Sequence, residues 1–372
     1  MKILICFGTR PEAIKMSSLV HQLIKNSDFD VNICVTAQHR EMLDQVLDFF
    51  DLTPQFDLNL MQINQSLNEL SGRIFINIDK VLQELVPDIV LVHGDTTSSV
   101  ICAWAAFHRG IKVGHVEAGL RTHNKFSPFP EELNRQITGK IADFHFAPTT
   151  GCAENLKYEK VESDKILVTG NTVIDSLLWT TEKLKNGFTN SSIEYLKQRI
   201  DFSKKIILVT AHRRENFGEG FINICKAIVE LANTLDVEIV FPVHLNPNVK
   251  NPVLQYLSGY KNVHLVDPLD YPSFVWLMNC SYIILTDSGG VQEEGPSLGK
   301  PVLVMRNSTE RPEAVEAGTV IMVGTEIKKI VDTASNLIKD IDLYKRMSMA
   351  YNPYGDGKAC ERITNYLLTQ VC

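Results

Sequence analysis

KILICFGTRPEAIKMSSLVHQLI, residues 2–24, is the plainest statement of architecture in the chain. The run through residues 2–8 is apolar without alternation, which suits a parallel strand covered on both faces by helices. Thr9, Pro11 and Glu12 then signal a helix start: Thr9 stands three residues ahead of Glu12, as in a capping box. Met16, Leu19, Val20, Leu23 and Ile24 follow at helical spacing. A buried strand feeding a capped helix is the α/β signature. It also delivers Arg10 and Lys15 near a helix N-terminus, where backbone N–H groups and the helix dipole favour an anion, although both could equally be solvated surface charges. Only Gly8 stands where the dinucleotide fingerprint needs three glycines, so an NAD site at this turn is a weak reading.

Outward from this start the alternation continues. VNICVTA (31–37) reads as a strand, 39–50 and 67–85 as helices, DIVLVHGD (88–95) as a strand, 97–109 as a helix, and KVGHVEAG and ADFHFAPT (142–149) as further strands. Repeated strand and helix patterns imply a parallel, doubly wound sheet, whose ligands sit beyond the carboxyl ends of its strands. Asp95 and Glu117 both stand there. Asp95 could instead cap the helix that follows it.

HVEAGLRTHNKFSPFPEELNR, residues 115–135, lies between a buried-strand pattern and a helix pattern and reads as a long polar functional loop. Pro130 suits the first helical position, with Leu133, Ile137 and Ile141 on one face of the helix. Glu131 and Glu132 then fall in the first turn, where acids complement the dipole, so one of the pair needs no function. The residues alone leave open which of the two that is.

VTGNTVIDSLL (168–178) reads as a connection, and residues 188–203 are polar without a strand pattern. The expected division is a first domain over 1–170, completed by a C-terminal helix over 357–372, and a second over 171–356. The second half repeats the strand and helix alternation, and a cleft is expected between the halves. Its polar residues again gather after strands: His212, Arg213 and Arg214, then His244, then Asp287 to Glu294, then Glu310 and Arg311. Ser288, Gly289 and Gly290 in TDSGGVQEE can bring backbone N–H groups against a phosphate, and a carboxylate one turn later can take ribose hydroxyls. With the arginines of AHRREN, the pattern points to a diphosphate.

Composition limits the alternatives. The 372 residues suit two domains of roughly 150–200 residues each. Apolar content of 44%, charged content of 22% and a net charge of -7 fit a globular protein and argue against a broad nucleic-acid footprint. Eight cysteines without a C-x-x-C pair, several inside apolar runs, read as reduced core residues rather than disulfides or a zinc site. The N-terminal apolar run is too short for a signal peptide, and no stretch reaches a membrane span, so a cytoplasmic protein without membrane contact is expected.

FGTRPEAIK, VHGDT, HVEAGLRT, SPFPEELNR, TAHRREN, PVHLNP, TDSGGVQEE and TERPE occur in this order. Together they resemble the bacterial non-hydrolysing UDP-N-acetylglucosamine 2-epimerases over essentially the whole chain. The resemblance implies a glycosyltransferase-B type fold of two Rossmann-like domains with the active site in the interdomain cleft, and usually a homodimer. It also implies interconversion of UDP-N-acetylglucosamine and UDP-N-acetylmannosamine, supplying surface polysaccharide synthesis, with no metal and no cofactor. The sugar's C2 hydrogen has no neighbouring carbonyl. Epimerisation therefore proceeds either by transient oxidation, which needs NAD, or by elimination of UDP to a 2-acetamidoglucal and re-addition; the missing fingerprint and the resemblance favour elimination.

The resemblance assigns Asp95, Glu117 and Glu131 as catalytic acids, and His212 beside the diphosphate. Arg10 matches a phosphate-contacting arginine, Lys15 an active-site lysine and Arg213 a further cation. Ser288, Gly289 and Gly290 match the diphosphate loop, Glu294 the ribose ligand and Arg311 a sugar-nucleotide contact. Phe274 and the backbone near Pro268 and Leu269 frame the uracil. Gln38 and His244 match a neighbouring regulatory substrate site, but Asn64 stands where members with that site carry an arginine. A hydrolysing relative and a UDP-sugar-dependent glycosyltransferase of the same fold are the alternatives.

Overall fold

The computed structural model describes residues 1–36, 40–62 and 65–370, apart from the side chains at 40 and 41. Gln38 and Asn64 therefore lie outside the described residues. The chain divides into two compact units, Met1–Leu178 with Tyr354–Cys372, and Trp179–Pro353.

In the first unit, β1 (Lys2–Phe7), β2 (Asp30–Val35), β3 (Phe56–Asp57), β4 (Ile89–His93), β5 (Lys112–Val116), β6 (Phe144–Ala147) and β7 (Ile166–Val168) form one sheet. Its order is β3-β2-β1-β4-β5-β6-β7 and every pair is parallel. The chain winds outward one way from β1 and the other way from β4, so the topological switch point lies between them. Ile3, Leu4, Ile5, Cys6 and Phe7 are fully buried, because helices cover both faces of a parallel sheet. The helix Leu67–Leu85 lays Leu70, Ile74, Ile78, Val81 and Leu82 against this core at spacings of three and four residues.

The second unit repeats the scheme. Strands β8 (Lys205–Thr210), β9 (Val237–Pro242), β10 (Val263–Val266), β11 (Ile283–Thr286), β12 (Val302–Val304) and β13 (Val320–Met322) are all parallel, in the order β10-β9-β8-β11-β12-β13. Its switch point lies between β8 and β11.

Several elements differ from expectation. Residues 168–178, expected as a connection, begin the helix Thr172–Lys185, and the polar stretch 188–203 contains the helix Ser191–Arg199. The first unit runs eight residues past 170 because this segment is fastened into it. Ser176 Oγ donates to Ile14 O at 2.6 Å, and Asp175 accepts from the Ala359 and Cys360 N–H groups at 3.2 and 2.9 Å. Those two N–H groups open the helix Ala359–Leu368, so a side chain remote in sequence supplies its N-terminal cap.

The helix Glu131–Ile141 also departs from its apolar pattern. Its buried residues are Glu132, Arg135, Thr138 and Gly139, whereas Leu133 is 43% exposed. The polar face turns inward because it carries bonds to the loop above, described below. Pro130 stands just before the first helical residue rather than on it. Among the described residues no helix is long and apolar enough to cross a membrane, no cluster suits a metal ion, and the cysteines are free thiols.

Candidate functional site

At the first switch point a buried acid fastens two loops. Glu12, 2% exposed, accepts from the Gly8 and Thr9 N–H groups at 3.0 and 2.8 Å and from the Thr9 hydroxyl at 2.8 Å. Its other oxygen accepts from the Thr96 hydroxyl at 2.6 Å, so the turn after β1 is pinned to the turn after β4. Burial raises the Glu12 pKa against the pull of those bonds. Gly8 is required by closeness: a Cβ there would stand 2.0 Å from Thr36 Oγ1 and 2.4 Å from Ser98 Oγ.

The pinned turns present the expected carboxylates. Glu117 follows β5 with φ +64°, a left-handed conformation uncommon for a residue with a side chain and frequent at functional sites. Its Oε2 pairs with Lys15 Nζ, accepts from Asn171 Nδ2 at 2.8 Å and lies 3.6 Å from His93 Nε2. His93 ends β4 and is buried, which lowers its pKa to about 4 and keeps it neutral. His115, one strand over, is likewise held neutral by burial, with a pKa of about 3, and its Nε2 bonds Gly94 O at 2.7 Å.

Asp95 is not the helix cap; Thr96 is, accepting from the Ser99 N–H at 3.0 Å. Asp95 is instead held from two sides. Arg135 Nη2 bonds its Oδ2, and Asn134 Nδ2 donates to its carbonyl at 2.9 Å. Burial and then the charge of Glu117 raise its pKa, while Arg135 and Lys15 oppose them. Two carboxylates therefore stand in one neighbourhood, Asp95 held by Arg135 and Asn134 and Glu117 by Lys15 and Asn171.

Glu131 and Glu132 stand in different surroundings. Glu131 is half-buried, and its carboxylate has no hydrogen-bond or ion-pair partner among the described residues. Glu132, expected to complement the helix dipole, is fully buried and organises the loop. It accepts from the Thr122 and His123 N–H groups at 2.9 and 3.1 Å, from Gln136 Nε2 at 2.8 Å and from Arg135 Nη1 at 3.3 Å. Burial works against its ionisation, but these bonds win and its pKa is lowered. Arg10 opens the helix Arg10–Ile24 at the same edge of the sheet.

The second switch point is built around Asp287, fully buried just after β11. It accepts from the His212 N–H at 2.9 Å, the Arg213 N–H at 2.8 Å and Asn216 Nδ2 at 3.1 Å. The loop after β8 is thereby held against the loop after β11. His212 stacks on His244, with ring centroids 5.6 Å apart, and its Nδ1 lies 3.7 Å from Asp287. Burial lowers the His212 pKa, with Arg213 and His244 adding to that and Asp287 opposing it.

Ser288 precedes the helix Gly289–Ser297 but makes no side-chain cap bond, so its side chain does not occupy the first backbone N–H groups of that helix. Gly289 packs against Arg311, where a Cβ would meet Cζ at 3.3 Å, and Arg311 Nε bonds Glu293 at 2.8 Å. Glu294 is buried and accepts from Tyr271 Oη at 3.2 Å. Phe274 lies in the first turn of the helix Tyr271–Cys280. Arg213 Nε is buried without a hydrogen-bond partner among the described residues, a donor suited to an anion.

Each unit thus brings its own sequence-derived residues together at its own switch point. The sequence reads Glu12 only as a capping residue and Asp287 only as one of the polar residues after a strand, and nominates neither His93 nor Asn171. Glu12, His93 and Asp287 sit inside the quoted motifs FGTRPEAIK, VHGDT and TDSGGVQEE, so the signal is present for those three. Two cavities of about 410 and 420 Å³ in the second unit are lined by other residues and belong to neither switch point.

Residues 21–368 match the family model described as UDP-N-acetylglucosamine 2-epimerase. The UDP-N-acetylglucosamine 2-epimerase of Escherichia coli O157:H7 is 56% identical over 369 residues, covering 99% of this chain and 98% of its own. The crystal structure of the Neisseria meningitidis UDP-GlcNAc 2-epimerase bound to UDP-GlcNAc superposes with a TM-score of 0.91 at 51% identity, covering 99% of this chain and all of that one. The Methanocaldococcus jannaschii enzyme in complex with UDP-GlcNAc and UDP does so with a TM-score of 0.81 at 34% identity, over 99% of this chain and 100% of that one. The match across 21–368 and the relatives of more than half identity over nearly the whole chain show that the chain belongs to the UDP-N-acetylglucosamine 2-epimerase family.

Proposed function

We propose that this protein interconverts UDP-N-acetylglucosamine and UDP-N-acetylmannosamine by eliminating UDP and adding it back, without releasing free sugar. The observation that carries the reading is the pair of differently held carboxylates, Asp95 and Glu117, after adjacent strands, with Lys15 of the helix Arg10–Ile24 paired to Glu117.

In the forward step one carboxylate takes the C2 proton while the C1–O bond breaks. Its electron pair leaves on the β-phosphate oxygen, and a C1=C2 double bond remains in the glucal. In the return step a carboxylic acid delivers a proton to the opposite face of C2, and the same phosphate oxygen rebinds C1. No electrons leave the substrate, so no redox cofactor is called for. Asp95, Glu117 and Glu131 are assigned the proton transfers, typically worth about 10²–10⁴-fold each. His212, Arg213, Arg10 and the Ser288–Gly290 turn are assigned the diphosphate, Glu294 the ribose, Phe274 the uracil, and Lys15 and Arg311 further substrate contacts. His244 is also the described member of the suggested regulatory pair.

The test is incubation of the purified protein with UDP-N-acetylglucosamine, followed by NMR. The manno isomer should accumulate to a fixed ratio with no added NAD and no free sugar. Free N-acetylmannosamine and UDP rising in step with enzyme would identify a hydrolysing activity instead, and absence of any isomer would refute the reading.

A further inference from the structure

We propose that Asn171 is a positioning residue that fixes Glu117 for proton transfer; the inference rests on the catalytic reading of Glu117 given above. Asn171 lies between β7 and the helix Thr172–Lys185, is buried, and touches Glu117 across 54 residues of sequence. Its amide orientation is determined by its two ends. Oδ1 accepts the Val173 N–H at 3.1 Å, as a helix cap does, so Nδ2 is the end that faces Glu117 and donates to Oε2 at 2.8 Å. A flipped amide would lose both bonds.

The backbone beneath the amide is clamped by the returning C-terminal segment. The Asn171 N–H donates to Tyr354 O at 2.7 Å, and Arg362 Nη1 donates to Thr169 O at 2.9 Å. Gly170, with φ +87°, lies so close to Gly355 that a Cβ on either would stand 3.3–3.4 Å from the other's Cα. This clamp removes the freedom that a loop residue would otherwise have, and the amide is presented to Glu117 at one place. Glu117 itself is in a left-handed conformation and needs such lateral support.

A cap alone does not account for the choice of residue. Aspartate caps helices as well as asparagine does, so a purely structural role would tolerate Asn171→Asp. A positioning role would not, because the substitution replaces the donor with a second carboxylate beside Glu117. The charged and titratable groups facing Glu117 include Lys15 from the helix Arg10–Ile24, His93 from β4 and Asp95 from the following turn. All three are unchanged in the variant, so a new like charge should raise the Glu117 pKa whether Glu117 serves as acid or base.

The experiment compares pH profiles of kcat/KM for the wild-type protein, Glu117→Gln and Asn171→Asp, with thermal melts and UDP titration on each. Wild-type turnover together with loss in Glu117→Gln carries the functional reading independently of Asn171. For Asn171→Asp we expect unchanged UDP affinity and kcat lower by roughly tenfold to a hundredfold, with the pH limb that reports Glu117 displaced to higher pH. Wild-type kcat and an unmoved limb in a folded Asn171→Asp protein would overturn the proposal. Should that variant not fold, Asn171→Ser keeps a capping oxygen and deletes the donor. A fall in kcat at constant KM then supports the role, and wild-type kcat overturns it.

Discussion

The two switch points solve one problem in opposite ways. Each ties the turn after its first central strand to the turn after its second with a buried acid. In the first unit that acid, Glu12, comes from the helix after β1 and reaches across to Thr96 beyond β4. In the second, Asp287 comes from the turn after β11 and reaches back to His212 and Arg213 beyond β8. What the fastened turns present also differs. The first presents carboxylates braced by Lys15, Arg135 and Asn171; the second presents an uncapped helix start with arginine and histidine around it. On the proposed reading one topology serves proton transfer in one copy and anion capture in the other, with the difference in a few residues at the strand ends.

The largest expected effect falls on the first unit. Glu117→Gln should depress turnover by about 10²–10⁴-fold while the protein still binds UDP. An active variant, measured by coupled release or NMR, would remove Glu117 from the chemistry and with it the contrast between the units.

Asp287→Ala should act on the second unit by a different route. It strips acceptors from the His212 and Arg213 N–H groups and from Asn216. Roughly 2–4 kcal/mol of stability should be lost, read by urea unfolding, together with UDP affinity. Undiminished UDP affinity would mean that the anion-receptive turn does not depend on that fastening.

The smallest effect is in pH dependence, and its sign differs between one acid of each unit. The Glu12 pKa is raised in the fold, so its contribution is fully present below the ordinary value of 4.5 and is lost as pH rises through the folded value. Glu310 in the second unit is the reverse: burial opposes its ionisation, but bonds from Arg306 lower its pKa to about 2. Its contribution is present above 4.5 and is lost as pH falls toward about 2. Glu310→Gln should therefore lose stability near neutrality and lose little further on acidification. Glu12→Gln should remove the decline on the alkaline side. Thermal melts from pH 3 to pH 8 separate the two, and parallel curves would show that the acids do not play opposite roles.

The architecture was readable wherever its signal was local. The buried run into Phe7, the Thr9–Glu12 capping box and the helix Leu67–Leu85 are each specified by neighbouring residues, and each stands where the sequence places it. The helix Ser191–Arg199 was not legible because its polar content matches that of a connection, whereas Thr172–Lys185 carries Val173, Ile174 and Leu177 at helical spacing, a signal the connection reading passed over. Glu132 was misjudged for a related reason. Two acids in a first turn look alike in sequence, and only the return of Thr122 and His123 onto one of them distinguishes a buried anchor from a half-exposed acid. Lys15 and Glu117 could be nominated as site residues, but their pairing across 102 residues, and the part of Asn171, depend on strand order that no local pattern encodes.

The central claim is that carboxylates of the first unit remove the C2 proton and return one from solvent-exchanged acid. Running the reaction to equilibrium in D2O and examining both isomers by NMR tests it most directly. Deuterium at C2 of the sugar in both UDP-N-acetylglucosamine and UDP-N-acetylmannosamine is the predicted result. A manno product that retains its original C2 hydrogen would contradict the account.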